Sequence, residues 1–589
     1  MNIDYKKLGY RWRGYYSDSV VYDNKDVVYK EGAAFYYDSS TATFKIFARG
    51  QEEAISKGEI VSEQTGLKGF PGEILFVKNG AVKFQHPIDR NGTRVVSLAT
   101  NALKGNVMYP SDQFMTFVMG DGSVRGIGRT YEGYLGASND KDEVHGVMVP
   151  IRINFPLGTP PIVKAFKGLG ASYFVDAEGT LWTTGQDLHA GCNGLGPGRE
   201  FDSNEGFSEG GPVNMSANTD IGDDPIDKVF SFYDYYSQHT CVYALSTTGK
   251  VYSWGHDPNN ILGHRRVLEG GTTYNAMLIE FTKDTPIVDI GSDAHTVTGM
   301  IDVDGNLWTI GSGGYNWHGN GTNGVFRKVH GLQSKCVQFQ GDSGEGHWNH
   351  GHYLGSCMLL EDGRLYARGN NFAQIGWGTP GLSTSNAYRD DRHLVGKDIS
   401  FFAWKHGGYA MMIAQRFDGS WMFRGANRWN FAPTHADTYP SSADAWADNY
   451  PRMAPTYYNS NLIKYKFHGG NISEGAIGLH SDGRAFVDGI NHVGQRGLGT
   501  TVHWYLDDPT GAGNYIETLP DFFVPIDEKI IDIDMAGYHY HWYNASYYDY
   551  STYYFLTENG NVYATGSHHY YKNGRYPNAP SYSPNRIIF

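Results

Sequence analysis

Three histidines and a carboxylate lie close together in the middle of the chain, and these residue types could hold a metal ion. They occupy the stretch Glu345-Gly-His347-Trp-Asn-His350-Gly-His352, and imidazoles at such spacing suit Zn²⁺ or Ni²⁺. The alternative is a loop whose histidines pack with aromatic side chains and bond to the backbone. Histidines also stand in other Tyr-rich loops, at His539, His541, His568 and His569. Because that recurrence favours the alternative, we predict no metal and no cofactor.

The other short motifs do not indicate catalysis. Gly319-Asn-Gly-Thr-Asn-Gly324 matches the dinucleotide-binding glycine string, but that string binds phosphate at the start of a helix, and no helix is predicted after it. Signatures of a nucleophilic serine or cysteine, a zinc protease or a P-loop do not occur. We therefore predict no catalytic residues and a protein that is not an enzyme.

These residues belong to a chain dominated by an internal repeat, which runs from about residue 110 to the C-terminus. Each copy has a predicted turn glycine and, six residues later, a second glycine. The turn glycines are Gly122, Gly179, Gly249, Gly305, Gly363, Gly419, Gly483 and Gly560. The second glycines are Gly128, Gly185, Gly255, Gly311, Gly369, Gly425, Gly489 and Gly566. The constant offset in all eight copies indicates one recurring supersecondary unit.

Each copy is predicted to be a β-hairpin, as in the stretch Cys241–Gly255. Most turns are Asp-Gly or Asn-Gly pairs, which tolerate the positive φ angles of two-residue hairpin turns. The residue two positions past each turn glycine is apolar, and the next position is aromatic in six copies. Because neighbouring strand positions face opposite sides of a sheet, both faces must be covered by other sheets.

A further strand is predicted before each hairpin, for example at Pro225–Phe230 and Pro286–Ile290. Such units cannot bury both faces alone, whereas a closed ring of them can. The sequence therefore predicts an all-β fold, a β-propeller of about eight blades over residues 93–589. Seven blades is the alternative, with the diverged first or eighth copy outside the ring.

The repeat resembles that of the regulator-of-chromosome-condensation family. The resemblance is carried by the hairpin pattern and by the Leu-Gly that ends the following loop, as in Tyr134-Leu135-Gly136, Gly194-Leu195-Gly196 and Gly497-Leu498-Gly499. It covers about residues 93–589 and implies a propeller, usually of seven blades. The best-known relatives also imply nucleotide exchange or chromatin binding. Such a protein is expected to carry a basic tail, and residues 1–12 hold only Lys6, Lys7 and Arg11.

Residues 1–50 do not match the repeat. The stretches Tyr10–Tyr16, Val20–Gly32 and Ala33–Tyr37 resemble small β modules of chitin-type carbohydrate-binding domains and of bacteriophage tail and fibre proteins. This resemblance implies an anchoring module at 1–50. Residues 51–92 are predicted to be a linker with one hairpin around an Asn-Gly turn in Gly72–Phe84.

Aromatic-rich insertions are the best candidates for a binding surface. Tyrosine and tryptophan offer apolar area with polar tips at low entropic cost, although packing between blades is an equally good account of any one tyrosine. The candidate binding residues are Trp12, Tyr235, Tyr236, Tyr540, Trp542 and Tyr548.

Composition narrows the class of function. The net charge of −14 argues against a nucleic-acid partner, and the start of the chain lacks the apolar run of a secretory signal. Together with the N-terminal resemblance, this predicts a bacteriophage virion protein for structure or adhesion, made in the host cytoplasm. Its predicted partners are other virion proteins and a host-surface glycan or protein, without membrane insertion. The alternative is a soluble protein- or glycan-binding propeller, lectin-like or exchange-factor-like, outside a virion.

Overall fold

The structure is a computed structural model that describes most residues from 94 onward and seven short strands before them. The described residues are 22–24, 27–29, 34–38, 43–47, 64–68, 75–78, 81–84, 94–100, 102, 106–108, 114–129, 135, 147–168, 171–185, 194, 212–216, 219–234, 239–256, 260–264, 272–293, 297–311, 317, 324–344, 353–370, 388–405, 411–425, 460–469, 475–489, 497, 523–536, 539–541, 547–549, 551–567 and 581–589.

The N-terminal strands form three small antiparallel sheets. Strands β1 (Tyr22–Asn24) and β2 (Val27–Tyr29) pair, and so do β3 (Ala34–Asp38), β4 (Thr43–Phe47) and β5 (Gln64–Lys68). The hairpin of β6 (Leu75–Lys78) and β7 (Ala81–Phe84) encloses the predicted Asn-Gly turn. The resemblance of residues 1–50 to phage and carbohydrate-binding modules, and the boundaries at 50 and 92, stay predictions.

The rest of the described chain forms eight sheets that we number as blades in chain order. Blade 1 contains β8 (Val95–Leu98), β10 (Phe114–Met119), β11 (Val124–Gly128) and β12 (Val147–Ile153), whereas β9 (Asn106–Met108) joins blade 7. Blade 2 contains β13 (Ile162–Gly168), β14 (Ala171–Asp176), β15 (Leu181–Gly185) and β16 (Val213–Asn214). Blade 3 contains β17 (Ile226–Asp234), β18 (His239–Ser246), β19 (Val251–His256) and β20 (Thr272–Leu278). Blade 4 contains β21 (Ile287–Ser292), β22 (Val297–Asp302), β23 (Leu307–Gly311) and β24 (Arg327–Lys328).

The second half of the chain repeats this order. Blade 5 contains β25 (Cys336–Gly344), β26 (Tyr353–Leu360), β27 (Leu365–Asn370) and β28 (Tyr388–Gly396). Blade 6 contains β29 (Ile399–Lys405), β30 (Met411–Arg416) and β31 (Trp421–Gly425). Blade 7 contains β32 (Leu462–Gly469), β33 (Gly475–His480) and β34 (Ala485–Gly489). Blade 8 contains β35 (Ile530–Ala536), β38 (Thr552–Thr557), β39 (Val562–Gly566) and β40 (Ser581–Arg586), with the hairpin β36 (His539–His541) and β37 (Tyr547–Asp549) inserted after its first strand. Among the described residues, the helical element is a 3-10 turn at Glu280–Lys283, and no helix is long and apolar enough to cross a membrane.

The eight predicted turn glycines all lie in hairpin turns, but the predicted two-residue turn is wrong. In every hairpin the glycine amide donates to the carbonyl three residues earlier, as Gly179 does to Asp176 at 3.0 Å. The glycines alone take positive φ in these turns, from 74° at Gly122 to 87° at Gly249. This is a three-residue loop, a type I turn closed by a glycine bulge. The preceding Asp or Asn therefore needs no positive φ; Asp121, for example, accepts hydrogen bonds from the amide and hydroxyl of Ser123.

The second glycine lies at or next to the end of the third strand, and in five blades, at Gly128, Gly185, Gly255, Gly311 and Gly566, the backbone again takes positive φ. Gly255 has a φ of 117°, and a Cβ there would lie 2.1 Å from the carbonyl oxygen of Thr240 on the neighbouring strand. Only glycine permits this approach. The constant offset of six residues is thus the length of the third strand between two backbone positions that require glycine.

The blades are joined into a closed ring by a recurring hydrogen bond. We call the first strand of each blade its inner strand. At seven junctions the carbonyl of a turn glycine accepts a hydrogen bond from the amide that starts the inner strand of the next blade, over 2.8 to 3.0 Å. The last of these bonds runs from Val95 of blade 1 to Gly560 of blade 8. At the other junction, between blades 6 and 7, Ser460 packs against Gly419. The ring therefore has eight blades within the described chain, and both diverged copies belong to it.

The core lies between successive blades, as the two-sided apolar pattern predicted. The apolar residues two positions past the turn glycines are all buried: Val124, Leu181, Val251, Leu307, Leu365, Trp421, Ala485 and Val562. One cluster spans the closing junction and contains residues of blades 8, 1 and 2. There Phe117 of blade 1 contacts the rings of Tyr554 and Phe589 edge-on, with centroids 6.0 and 5.0 Å away.

Candidate functional site

The ring has two unlike faces, which follow from the strand directions. The first two strands of each blade are antiparallel, so the inner strand begins beside the hairpin turn that follows the second strand. The glycine-to-strand bonds then place the starts of successive inner strands on the same side. We call this side, which carries the eight turn glycines from Gly122 to Gly560, the turn face. The other side, where the inner and third strands end, is the loop face.

In blades 1 to 5 and blade 8 the longest connections join strand ends at the loop face, whereas 426–461 and 490–529, which follow the third strands of blades 6 and 7, run from the loop face to the turn face. Within the blades they include 186–212 in blade 2 and 371–387 in blade 5. The connections at the turn face are shorter, for example 154–161 between blades 1 and 2. Long loops on a rigid frame are the usual place for binding residues. The loop face is therefore the candidate binding site of the ring.

The candidate binding aromatics belong to segments that start and end at the loop face. The hairpin β36–β37 follows the inner strand of blade 8 and pairs Tyr540 with Tyr548 across its two strands. Tyr235 and Tyr236 belong to the connection between β17 and β18 of blade 3. Four of the candidates lie outside the described residues: Trp12, Tyr235, Tyr236 and Trp542. The structure thus brings one pair of the predicted aromatics together, and their binding role stays a prediction.

The histidine candidates also belong to a loop-face connection, between β25 and β26 of blade 5. His347, His350 and His352 lie outside the described residues, so the absence of a metal stays a prediction. Within the described part of the chain, His, Cys, Asp and Glu form no group of three that could hold a metal ion. Cys241, Cys336 and Cys357 are buried.

The centre of the ring is crossed by a segment that the sequence analysis did not single out, residues 99–108, which we call the crossing segment. It leaves the short inner strand β8 and pairs with the inner strands of other blades. The amide of Thr100 donates to Ala165 of blade 2 at 3.1 Å, and the amide of Ala102 donates to Val229 of blade 3 at 3.2 Å. Strand β9 then pairs in parallel with β32 of blade 7. The segment therefore bridges opposite sides of the ring.

A buried charge cluster lies beside the crossing segment; we call its residues Lys167, Lys466 and Asp534 the central cluster. Asp534 of blade 8 accepts hydrogen bonds from both lysines, which belong to blades 2 and 7. Lys167 also donates to the carbonyl of Met535, and Lys466 to the hydroxyl of Thr100. Lys167 can reach blade 8 past blade 1 because β8 ends at Leu98. The cluster thereby ties three blades to the crossing segment.

Burial determines the ionisation of the central cluster. Lys167, Lys466 and Asp534 are 2%, 4% and 0% exposed. Burial lowers the pKa of Lys466 to about 8 and also lowers the pKa of Lys167, although Asp534 opposes both shifts. Burial opposes ionisation of Asp534, but the neighbouring lysines overcome it and hold the pKa of that carboxyl well below its usual range. The carboxylate is therefore ionised at neutral pH.

The central cluster is poorly placed for chemistry on a substrate. A lysine with a lowered pKa can act as a nucleophile when a substrate reaches it. Here both ammonium groups are enclosed and donate to protein oxygens. What the arrangement can do is fix the positions of the inner strands and the crossing segment, which gives the loop face a rigid support.

A serine and a histidine of blade 3 also lie within hydrogen-bonding distance of each other, as a catalytic serine and its general base do. Ser253 Oγ lies 2.8 Å from His264 Nε2, but it also donates to the carbonyl of Leu262 at 2.8 Å. Ser253 is completely buried, and burial lowers the pKa of His264, which keeps the ring neutral. The hydroxyl therefore serves to hold the loop after β19 against the blade.

The architecture defines this chain as an eight-bladed β-propeller with a bridged centre. No protein-family model and no curated protein matches the chain. Solved structures are similar to it at low sequence identity.

Two such structures are Prp20p from Saccharomyces cerevisiae and human WBSCR16. Prp20p is 15% identical, over 71% of this chain and 88% of that protein, with a TM-score of 0.45. WBSCR16 is 15% identical, over 74% of this chain and 84% of that protein, with a TM-score of 0.40. The yeast RCC1 (Prp20) bound to Kap60 is 14% identical, over 77% of this chain and 90% of that protein, with a TM-score of 0.44. The assignment of the fold rests on the strand pairing and the closing hydrogen bond of this chain.

Proposed function

We propose that this chain is a binding protein that presents the loop face of its propeller to a macromolecular partner and that it is not an enzyme. The observation that carries the proposal is that in six of the eight blades the longest connections join strand ends on one face of a closed ring. Binding sites are commonly built from such loops on rigid scaffolds. The enclosed lysines and the enclosed Ser253–His264 pair agree with a function without catalysis.

The setting that we propose is a bacteriophage particle. The support comes from the resemblance of residues 1–50 to modules of phage tail and fibre proteins. In this setting the N-terminal residues attach the chain to other virion proteins, while the loop face contacts a neighbour or a host-surface glycan or protein. Prp20p is described as binding Gsp1p and histones, so protein binding is a known use of a similar fold.

The proposed function predicts that this chain is abundant in phage particles purified from its source, as measured by mass spectrometry of their proteins. Replacing residues 539–549, which contain β36 and β37, by a Gly-Ser linker of equal length should reduce binding of the purified chain to host cells by at least tenfold. The matched control replaces the turn-face connection 154–161 in the same way and should bind normally. Absence from particles, with a monomeric chain that still binds a glycan or protein, would instead support the alternative of a binding propeller outside a virion.

A further inference from the structure

The inner strands share a bulge that adds one residue per blade near the turn face. In blade 7, Leu462 pairs with His480 and Lys464 with Leu479, so Ile463 is the extra residue. The same register shift occurs near the start of the inner strand in every blade. The eight extra residues are Val96, Val163, Asp227, Val288, Val337, Ser400, Ile463 and Ile531. Six of these positions therefore hold a β-branched aliphatic residue, of which Val96 is partly buried against the core.

Among the described residues, several exposed apolar side chains lie on this face. At the bulges, Val288, Ile463 and Ile531 are 43%, 64% and 49% exposed. In the described part of the chain, the exposed large apolar residues of the turn face are Leu157, Val288, Val303, Val337, Phe417, Ile463, Ile531 and Ile588. The others, Val149, Met277 and Leu394, belong to the fourth strands of their blades, which we call the outer strands. Grouped exposed apolar residues on a folded domain mark interaction sites more often than scattered ones do.

Carboxylates surround this apolar ring. Seven of the eight hairpin turns carry at least one, at Asp121, Glu178, Asp304, Glu361, Asp362, Asp418, Asp482 and Glu558. Ser420 donates to Asp418 through its backbone amide and its hydroxyl, and these bonds lower the pKa of that carboxyl. Arg364 and Arg484 pair with Asp362 and Asp482 within their own hairpins.

Three further basic residues of this face lie at blade junctions. The side chains of Arg94, Lys335 and Lys529 lie against turn glycines of the preceding blade. Residues 1–93 have nearly balanced charges, so the net charge of −14 resides in the propeller. An apolar centre inside a charged rim is the usual anatomy of a protein interface, and the hairpin turns of this rim hold more carboxylates than basic side chains.

We propose that the turn face is a docking surface for a second protein whose contact surface is apolar at its centre and basic around it. This inference rests on the proposed function as a binding propeller, and it adds a second surface on the face opposite to the loops. A second copy of this chain fits poorly, because two acidic rims would repel each other when the faces meet. A basic rim on the partner would be attracted by the same carboxylates and would bring its apolar centre onto Val288, Ile463 and Ile531.

The test uses the full chain and two synthetic helical peptides of equal length, one of leucine and lysine and one of leucine and glutamate. The Leu/Lys peptide should bind the chain, with an affinity that falls as salt rises, and the Leu/Glu peptide should not. The double substitution Ile463→Thr with Ile531→Thr should weaken Leu/Lys binding at least tenfold. The matched control, Val149→Thr with Leu394→Thr, changes exposed aliphatic residues on outer strands and should leave the affinity unchanged.

Equal binding of both peptides, or equal effects of the two double substitutions, would overturn the proposal. So would a dimer in light scattering that dissociates only when Ile463 and Ile531 are replaced, because the occupant would then be a second copy. The linker replacement of residues 539–549 acts on the loop face and should not change peptide binding. The docking surface and the proposed loop-face function can therefore fail separately.

Discussion

Replacing Asp534 by asparagine is expected to lower the free energy of unfolding by about 3 to 5 kcal/mol, because it leaves two buried lysines without their counter-ion. Asp534 is completely buried and bonds to both Lys167 and Lys466. Because the substitution keeps the size of the side chain, the decrease in the free energy of unfolding measures the effect of removing the negative charge. Equilibrium unfolding in urea, followed by tryptophan fluorescence, measures the change.

The matched control is Asp532→Asn, two residues away on the same strand. Asp532 pairs with Lys464, and both side chains are about one-third exposed, at 29% and 32%. An exposed pair of this kind contributes about 0 to 1 kcal/mol. Replacing the whole central cluster, with Lys167→Met, Lys466→Met and Asp534→Leu, should recover most of the lost stability. Equal effects of Asp534→Asn and Asp532→Asn would contradict the account of the cluster.

The pH dependence of the Asp534→Asn effect follows from the lowered pKa of Asp534. A carboxyl whose pKa is lower in the folded state stabilises the fold above its unfolded pKa, and this contribution is lost as the pH falls toward the folded pKa. The unfolded value is 3.8. The difference between the native chain and the variant should therefore shrink as the pH falls below about 4, where the carboxyl of the unfolded chain becomes protonated.

Replacing Gly255 by alanine is expected to lower the free energy of unfolding by about 4 kcal/mol, through backbone strain and a steric clash. The φ of 117° disfavours any residue with a Cβ, and that Cβ would lie 2.1 Å from the carbonyl oxygen of Thr240. Strands β18 and β19 would have to move apart. Thermal and urea unfolding measure the loss, and the near-ultraviolet circular dichroism spectrum checks that the variant still folds.

Gly158→Ala separates the strain from the clash. Gly158 also has positive φ, at 89°, but a Cβ there would meet no atom within 4 Å. Gly158→Ala should therefore lower the free energy of unfolding by about 1 kcal/mol, which is the contribution of backbone strain alone. If both substitutions cost the same, the close approach of β18 and β19 at Gly255 is not a feature of the fold.

Local pattern was sufficient to predict the blades. The turn glycines, their offset of six residues and the apolar position two residues past each turn are set by backbone conformations within one hairpin. The structure confirms all of these. The turn type was predicted wrongly because Asp-Gly occurs both in two-residue turns and before a glycine bulge. The Asp-Gly dipeptide alone does not distinguish the two kinds of turn, whereas the hydrogen bond from the amide of Gly122 to the carbonyl of Met119 does.

The centre of the ring was not predicted, because its contacts join residues far apart in the chain. Lys167 and Asp534 are separated by 367 positions, and nothing local marks the crossing segment as a bridge. One signal was present in the repeats. When the inner strands are aligned on their first apolar residue, Lys464 and Lys466 fall at the same positions as Asp532 and Asp534. Opposite charges at equal positions of neighbouring copies would have indicated that those side chains meet.

The binding surfaces were predicted in part. Aromatic content pointed to the insertion of β36 and β37, and the ring places this insertion on the loop face. The apolar turn face was missed, because Val288, Ile463 and Ile531 stand in strands where β-branched residues are expected to be buried. The bulge that turns them outward follows from the register of the pairing, which the sequence does not display.

Both faces exist only if the ring closes, and the most direct test is hydrogen exchange at the closing junction. The measurement follows the amides of residues 94–108 in the full chain by mass spectrometry of its peptic fragments. The amide of Val95 donates to Gly560, and those of Thr100 and Ala102 donate across to blades 2 and 3. We expect these amides to exchange as slowly as those of Ile226–Asp234 in blade 3. Exchange of residues 94–108 at the rate of an unprotected chain would contradict the closed, bridged ring.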